Sequence, residues 1–448
     1  MESSLEEWYS GRLSWQDYAE ESIWILERFY MSLLTLFVVL QIGKYACERG
    51  LAWMNKSFYE DPENQKRVCK SLKLDDEKFQ KTLVYTQDKY RFGAFSGLAS
   101  LIAFLAFLVL GGFGWLEGQA IQWSEALGFG SIVSGLLFLG GMGFLSSLFS
   151  LPFDYYFTFF LEEKHGFNRQ KPMGFFLDRL KGLVLAVILG GILLSGILWV
   201  MEATGTYWWL WAWIVFSLFQ LLTLWLYPSL LAPLFNKFTP VEEGDLKDEI
   251  YTLAKKVNFK ASGLFTMDAS TRSTHGNAYF TGVFDEKRIV LFDTLVQSMN
   301  TKEIVAVLAH ELGHFKLNHV RWMLIRGIVM MGLLFYLLGL CLPLEGFYHA
   351  FHLRSVSNYG ALFVFSQWFG LVGFLISPLS SWISRKNEFA ADAFALEHTE
   401  SPDHLPTALL KLSESNHSMP LVHPWYSTFY HSHPPLLERL NALNYNKT

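Results

Sequence analysis

Long apolar stretches separated by polar segments form the main pattern of this chain. Stretches of about 20 apolar residues are long enough to cross a bilayer as helices. They lie at roughly 24–43, 93–115, 127–151, 180–201, 207–231, 321–344 and 359–384. Trp and Tyr crowd at the ends of stretches, as at 207–209, which is typical of membrane interfaces. The pattern predicts a mainly α, polytopic membrane protein with about seven transmembrane helices.

Composition supports the same class. Apolar residues make up 51% of the chain and charged residues only 17%, whereas a soluble protein of this length carries more charge. Any single stretch could be a buried core helix, but the whole set is hard to place inside a soluble core. We therefore expect the lipid bilayer to be a partner. The sequence has no phosphate-binding loop or nucleic-acid motif, so nucleic acid is not expected as one.

The basic residues alternate between the loops. Loops 116–126 and 202–206 contain no Lys or Arg, whereas 44–92 and 161–181 are rich in both. Positive loops favour the cytosolic side of a membrane. The alternation predicts an N-terminus outside or lumenal and a C-terminus in the cytosol. The membrane would be the bacterial inner membrane or the endoplasmic reticulum.

The long polar segment between the fifth and sixth stretches, about 236–300, predicts a small folded region. Residues 246–257 have the pattern of an amphipathic helix. Three strands are predicted at 263–268, 278–284 and 288–293, the last two joined by a turn at Asp285-Glu286.

The segment His310-Glu-Leu-Gly-His314 has the clearest chemistry. On a helix, residues four apart project from one face, so His310 and His314 could bind one Zn²⁺. Asn300 and Glu303 resemble a capping box at the start of that helix. Glu311 lies between the two histidines and is placed to work on a water molecule instead of binding the metal. The alternative is a pair of surface histidines beside a helical glutamate.

A third ligand is predicted in the helical pattern of 384–395. Glu388 and Asp392 share a face that otherwise holds small and apolar residues, and an acid there costs free energy unless it meets a cation or a metal. Glu388 would complete a His₂Glu set, the catalytic type of zinc site. Asp392, one turn later, would accept the free ring N–H of a ligand histidine. The alternative is a solvated face paired with Arg385 and Lys386.

These motifs carry a family resemblance. Together with three further blocks they are similar to the type I CAAX prenyl endopeptidases, which are integral-membrane zinc metalloproteases. The matching blocks are 162–168 (EEKHGFN), 276–280 with 288–293, 310–319, 384–392 and 433–439. The resemblance implies hydrolysis of peptide bonds with one Zn²⁺ per chain. It also implies a protein or peptide substrate that is prenylated at a C-terminal Cys.

The resemblance adds further site residues. His433 and Arg439 match the family's pair that stabilises the oxyanion, with His433 nearer to it. The alternatives are a rigid turn at Pro434-Pro435 and an ordinary salt bridge of Arg439. Residues Asn277, Ala278, Tyr279 and Phe280 would form an edge strand that binds the extended substrate backbone; the alternative is a plain hairpin covering the zinc helix.

For the whole molecule we expect spans arranged around a water-filled chamber, with a gluzincin-like domain at the cytosolic side. The predicted division is a transmembrane region 1–231, a metalloprotease segment 232–320, two spans in 321–384, and a C-terminal protease part 385–448. Other functions stay open at this point. They are an intramembrane metalloprotease, a bacterial-type quality-control protease without prenyl substrates, a transporter or receptor with structural zinc, and a non-catalytic scaffold.

Overall fold

Long helices carry most of the chain in the computed structural model, which describes residues 15–281 and 287–445. The helices of the membrane region are α1 (Trp15–Glu60), α2 (Pro62–Leu72), α3 (Asp76–Val109), α4 (Gly112–Ala126), α5 (Ser131–Tyr156), α6 (Pro172–Ala203) and α7 (Trp208–Leu226). Those that follow are α8 (Asp245–Lys256), α9 (Asp293–Ser298), α10 (Thr301–Lys316), α11 (His319–Cys341), α12 (Glu345–His349), α13 (Asn358–His398), α14 (His404–Ser415), α15 (Pro424–Tyr430) and α16 (Leu436–Ala442).

Seven helical stretches in this part of the chain are long and apolar enough to cross a membrane. They are Met31–Glu60, Asp76–Val109, Ser131–Glu162, Pro172–Ala203, Gly205–Leu234, His319–Cys341 and Asn358–His398. The predicted number is confirmed, and each stretch overlaps a predicted span. Most extend beyond the predicted limits because helices continue into polar sequence. The second begins at a polar cap, where Asp75 accepts hydrogen bonds from the backbone of Glu77 and Lys78.

The spans pack closely at one end. The buried cluster there includes Phe37, Leu108, Phe138, Leu198 and Phe363. These residues lie near the start of the first, third and seventh spans and near the end of the second and fourth, so they share one side of the membrane region. Over the most apolar 18 residues of each span, at most 17% of the residues are buried. The helix α4, in a segment predicted as loop, belongs to the packed end.

A four-stranded sheet lies between the fifth and sixth spans. Its strands are β1 (Phe238–Pro240), β2 (Gly263–Met267), β3 (Ala278–Thr281) and β4 (Arg288–Phe292), in the order β1-β2-β4-β3. Strand β2 pairs parallel with β4, and the other two pairs are antiparallel. The sequence predicted β2, β3 and β4 but not β1. The predicted turn at Asp285-Glu286 and the end of its preceding strand lie outside the described residues.

Helix α10 carries the histidine motif and packs against the sheet and α13. Its start has the predicted capping box: Asn300 Oδ1 accepts from Glu303 N at 3.0 Å, and Glu303 Oε2 accepts from Asn300 N at 3.0 Å. Gly313 lets α10 and α13 approach, because a Cβ there would lie 3.1 Å from Ala391 Cα. The seventh span continues without a break in α13 beyond residue 384, the limit predicted for it.

We expect the close approach at Gly313 to be required for stability. Gly313→Val should lower the free energy of unfolding by about 1–3 kcal/mol, because the added methyl groups overpack the contact with Ala391. The control is Gly182→Val on a membrane helix, where an added Cβ meets nothing within 4 Å. Thermal unfolding of the purified proteins measures both. Equal melting temperatures for the two variants would contradict the prediction.

Candidate active site

Two helices bring three side chains together at one point. His310 and His314 project from α10, and Glu388 projects from α13, with ligand atoms all within 4.8 Å of one another. The two Nε2 atoms lie 3.2 Å apart. Glu388 Oε2 lies 3.4 Å from His310 Nε2, and Glu388 Oε1 lies 3.2 Å from His314 Nε2. The three residues predicted as metal ligands therefore converge.

A second set of contacts orients His310. Its Nδ1 lies 2.8 Å from Asp392 Oδ1, and a carboxylate can only accept, so Nδ1 carries a proton and Nε2 is the ring nitrogen left to bind a metal. Asp392 also accepts two hydrogen bonds from Arg439, at 2.9 Å from Nε and 2.5 Å from Nη2. Asp392 and Arg439 are both buried. This is the carboxylate–histidine contact that orients ligands at metal sites.

His314 has a partner that sequence reasoning missed. Its Nδ1 lies 3.1 Å from Nδ1 of His319, five residues further along the chain. If Nε2 of His314 keeps its lone pair for a metal, Nδ1 must donate and His319 must accept. The left-handed conformation of Asn318 (φ 59°) separates α10 from α11 and places His319 at the start of the new helix. The chain turn that allows this contact is not visible in the spacing of the histidines.

The remaining predicted residues surround the three ligand candidates. Glu311 is half-buried, and burial raises the pKa of its carboxyl group. His433 has an exposed side chain whose Nε2 lies 3.4 Å from Glu388 Oε1. Arg439 is buried, and its Nη2 lies 3.4 Å from His310 Nδ1. Of the pair predicted from the resemblance, His433 therefore lies beside Glu388 and Arg439 beside His310.

Strand β3 forms the described edge of the sheet and lies beside α10. Ala278 packs into the core under the histidine helix, and Phe280 packs against Phe259 with ring centroids 5.3 Å apart. Asn277 accepts from the backbone of Phe292 at 3.0 Å, which anchors the start of the strand. Among the strands that the structure describes, β3 pairs on one side only, with β4.

A polar network holds the residues that lead into β3. His275 Nε2 lies 3.3 Å from Glu162 Oε2, and Tyr85 donates to Glu162 Oε1 at 2.6 Å. Asn416 Oδ1 lies 3.2 Å from His275 Nδ1 and accepts from Gly276 N at 3.1 Å. Glu162 ends a π-helical turn after α5, a feature that often marks functional positions. Sequence reasoning had given these residues no role at the site.

Comparisons with known proteins agree with this geometry. A family model described as the CAAX prenyl protease N-terminal region, with five membrane helices, matches residues 62–237, and the model of peptidase family M48 matches 240–447. The chain belongs to peptidase family M48. The resemblance seen in the sequence is thereby confirmed.

Curated relatives of this M48 chain span most of its length. It is 38% identical to the CAAX prenyl protease 1 homolog of Arabidopsis thaliana, over 83% of this chain and 88% of the relative. It is 37% identical to CAAX prenyl protease 1 of Saccharomyces cerevisiae, over 83% and 87%. The crystal structure of S. mikatae Ste24p matches with a TM-score of 0.83 at 33% identity, covering 92% of this chain and 98% of that one.

This M48 chain is therefore a multi-pass membrane protein and a metalloendopeptidase. The match favours peptide hydrolysis over the transporter, receptor and scaffold alternatives. Family membership implies a metal ion, and the residues fit one. Glu388 Oε2 is buried and makes no hydrogen bond to any described residue, although two ring nitrogens face the same carboxylate. A cation would satisfy these groups together.

We expect Asp392 to control metal affinity through His310. Asp392→Asn should weaken metal binding by about 10- to 100-fold, because an amide can donate to Nδ1 and favour the wrong ring tautomer. The control is Glu397→Gln, an exposed carboxylate on the same helix. Metal analysis after competition with a chelator measures the difference. Unchanged metal retention in Asp392→Asn would show that the contact does not orient the ligand.

Proposed function

We propose that the protein binds one Zn²⁺ through His310, His314 and Glu388 and uses it to hydrolyse a peptide bond. The observation that carries the proposal is the convergence of two imidazole Nε2 atoms and one buried carboxylate beside an unpaired strand edge. A His₂Glu set leaves one coordination position open, as catalytic zinc sites do. When bound, Zn²⁺ lowers the pKa of a coordinated water and polarises the scissile carbonyl.

Glu311 is the proposed proton carrier. It follows a ligand histidine directly in the chain and lies near the ligand candidates without joining them. Its carboxylate accepts the proton of the attacking water and passes it to the leaving amine. Because burial raises the pKa of Glu311, the protonated form is easier to reach during turnover.

His433 and Arg439 are proposed to stabilise the negative charge that develops on the carbonyl oxygen. His433 is exposed on the open side of Glu388 and can turn Nε2 towards a substrate. Arg439 has two N–H groups bound to Asp392, so it acts on the carbonyl oxygen through its positive charge and not through a direct hydrogen bond from these groups. Asp392 therefore holds both a ligand histidine and the arginine.

The substrate is proposed to lie along Asn277, Ala278, Tyr279 and Phe280. An extended peptide would complete the sheet by pairing with β3, which fixes the scissile bond beside α10. The relatives are named for CAAX prenyl proteins, so we propose a substrate prenylated at a C-terminal Cys. The reaction would release the C-terminal tripeptide.

The membrane region is proposed to surround a water-filled chamber that opens on the zinc site. Close packing at one end of the spans and a buried share of at most 17% over the most apolar part of each span support it. The loop charges support a cytosolic zinc site and C-terminus. We keep the division at 231, 320 and 384 as a functional one, although α13 crosses its last boundary.

Glu311→Gln tests the proton carrier. This variant should keep its metal and lose about 10²- to 10⁴-fold in turnover, because only the proton transfer is removed. Glu397→Gln, an exposed acid on α13, is the control and should remain active. Metal analysis and single-turnover peptide cleavage give the two readouts. Near-normal turnover in Glu311→Gln would assign the base to another residue.

A pair of peptides tests the substrate class. The purified protein should cleave a farnesylated CAAX peptide at a higher kcat/KM than its unprenylated twin, because the apolar chain adds buried surface on binding. Glu311→Gln protein serves as the blank. Cleavage of both peptides at equal kcat/KM would favour the quality-control alternative and leave the zinc peptidase assignment intact.

A further inference from the structure

A cavity of about 560 Å³ lies where the fourth span begins and the fifth span ends. The segment before α6, the end of the fifth span and the turn after β2 form its walls. It shares no lining residue with the group of His310, His314 and Glu388. Its position at the ends of two spans places it at the membrane boundary.

Three cations in this cavity form no ion pair with any described residue. Arg169, Lys171 and Lys237 line it with exposed side chains. Two acids also line the cavity: Asp178 pairs with Arg272 at 3.0 Å, and Asp268 accepts from the neutral backbone N–H of Lys237 at 2.8 Å and so keeps its negative charge.

The other two cations of the walls already have hydrogen-bond partners within the lining. Lys181 donates to Leu234 O at 3.1 Å, and Arg272 holds Asp178 and the Asn236 side chain. The lining thus holds five cations (Arg169, Lys171, Lys181, Lys237 and Arg272) and two carboxylates (Asp178 and Asp268), which leaves a net charge of +3.

Apolar side chains are exposed in the same cavity. Met173, Leu177 and Leu234 line it with 71%, 49% and 46% of their surface exposed. Met173 and Leu177 lie on the first turns of the fourth span, beside the cations of the preceding segment. An anion that is fully soluble gains nothing from these three side chains, whereas a phospholipid uses both the cationic and the apolar part.

We propose that this cavity binds the phosphate-bearing headgroup of an anionic phospholipid. Arg169, Lys171 and Lys237 contact the phosphate, and the first part of the acyl chains lies on Met173 and Leu177. Each Lys or Arg near a bilayer surface raises the affinity for anionic lipid by roughly fivefold. The site is separate from peptide hydrolysis and does not depend on the proposed substrate.

The test is lipid binding by the full-length protein in detergent, followed by native mass spectrometry. Phosphatidylglycerol and phosphatidylcholine are titrated separately. The triple variant Arg169→Ala/Lys171→Ala/Lys237→Ala is compared with the wild type. The control is Lys66→Ala/Arg67→Ala/Lys70→Ala, which removes the same charges from the exposed surface of α2.

Wild type and control should bind phosphatidylglycerol at least about tenfold more tightly than phosphatidylcholine, and the cavity variant should lose that preference. Lys171→Gln alone should lose about fivefold, which keeps the test decisive if the triple variant misfolds. An unchanged preference in the cavity variants would overturn the proposal. Displacement of phosphatidylglycerol by an equal concentration of inorganic phosphate would also overturn it, because the cavity would then bind the free anion.

Discussion

The buried carboxylate of Glu388 is the constraint on which the site depends. A charge in an apolar surrounding costs several kcal/mol unless cations or hydrogen bonds surround it. Glu388 is 4% exposed, and the groups that face it are the two histidines of α10 and His433. The two helices must therefore approach closely, and Gly313 against Ala391 permits that approach. A larger residue at 313 would separate the carboxylate from its partners.

The same constraint links catalysis to the membrane. Glu388 and Asp392 lie on the helix that begins as the seventh span, so the position of the ligand follows that of the span. The segment that leads into β3 also depends on a membrane helix, because Glu162 at the end of the third span contacts His275 just before β3. Two sides of the site are thus carried by residues at the ends or continuations of transmembrane helices.

Periodicity and spacing predicted the elements whose cause is local. The seven spans follow from apolar length, the capping box from Asn300 and Glu303, and the convergence of His310, His314 and Glu388 from two i,i+4 pairs. Contacts between distant segments were not predictable in this way. The contact of His319 with His314 needs the left-handed turn at Asn318, and the short strand β1 pairs with β2 through three residues only. Neither leaves a periodic signal in the sequence.

Arg439 shows how the structure refines a role taken from a resemblance. The resemblance names this residue only as a partner of His433, whereas the structure places its Nε and Nη2 on the two oxygens of Asp392. A bidentate pair of this kind fixes the carboxylate in one orientation, and that orientation keeps the proton of His310 on Nδ1. The positive charge of Arg439 also offsets the negative charge of the buried Asp392, so Asp392 can stay ionised beside Glu388. One guanidinium thus serves both the orientation of the ligand and the charge balance of the site.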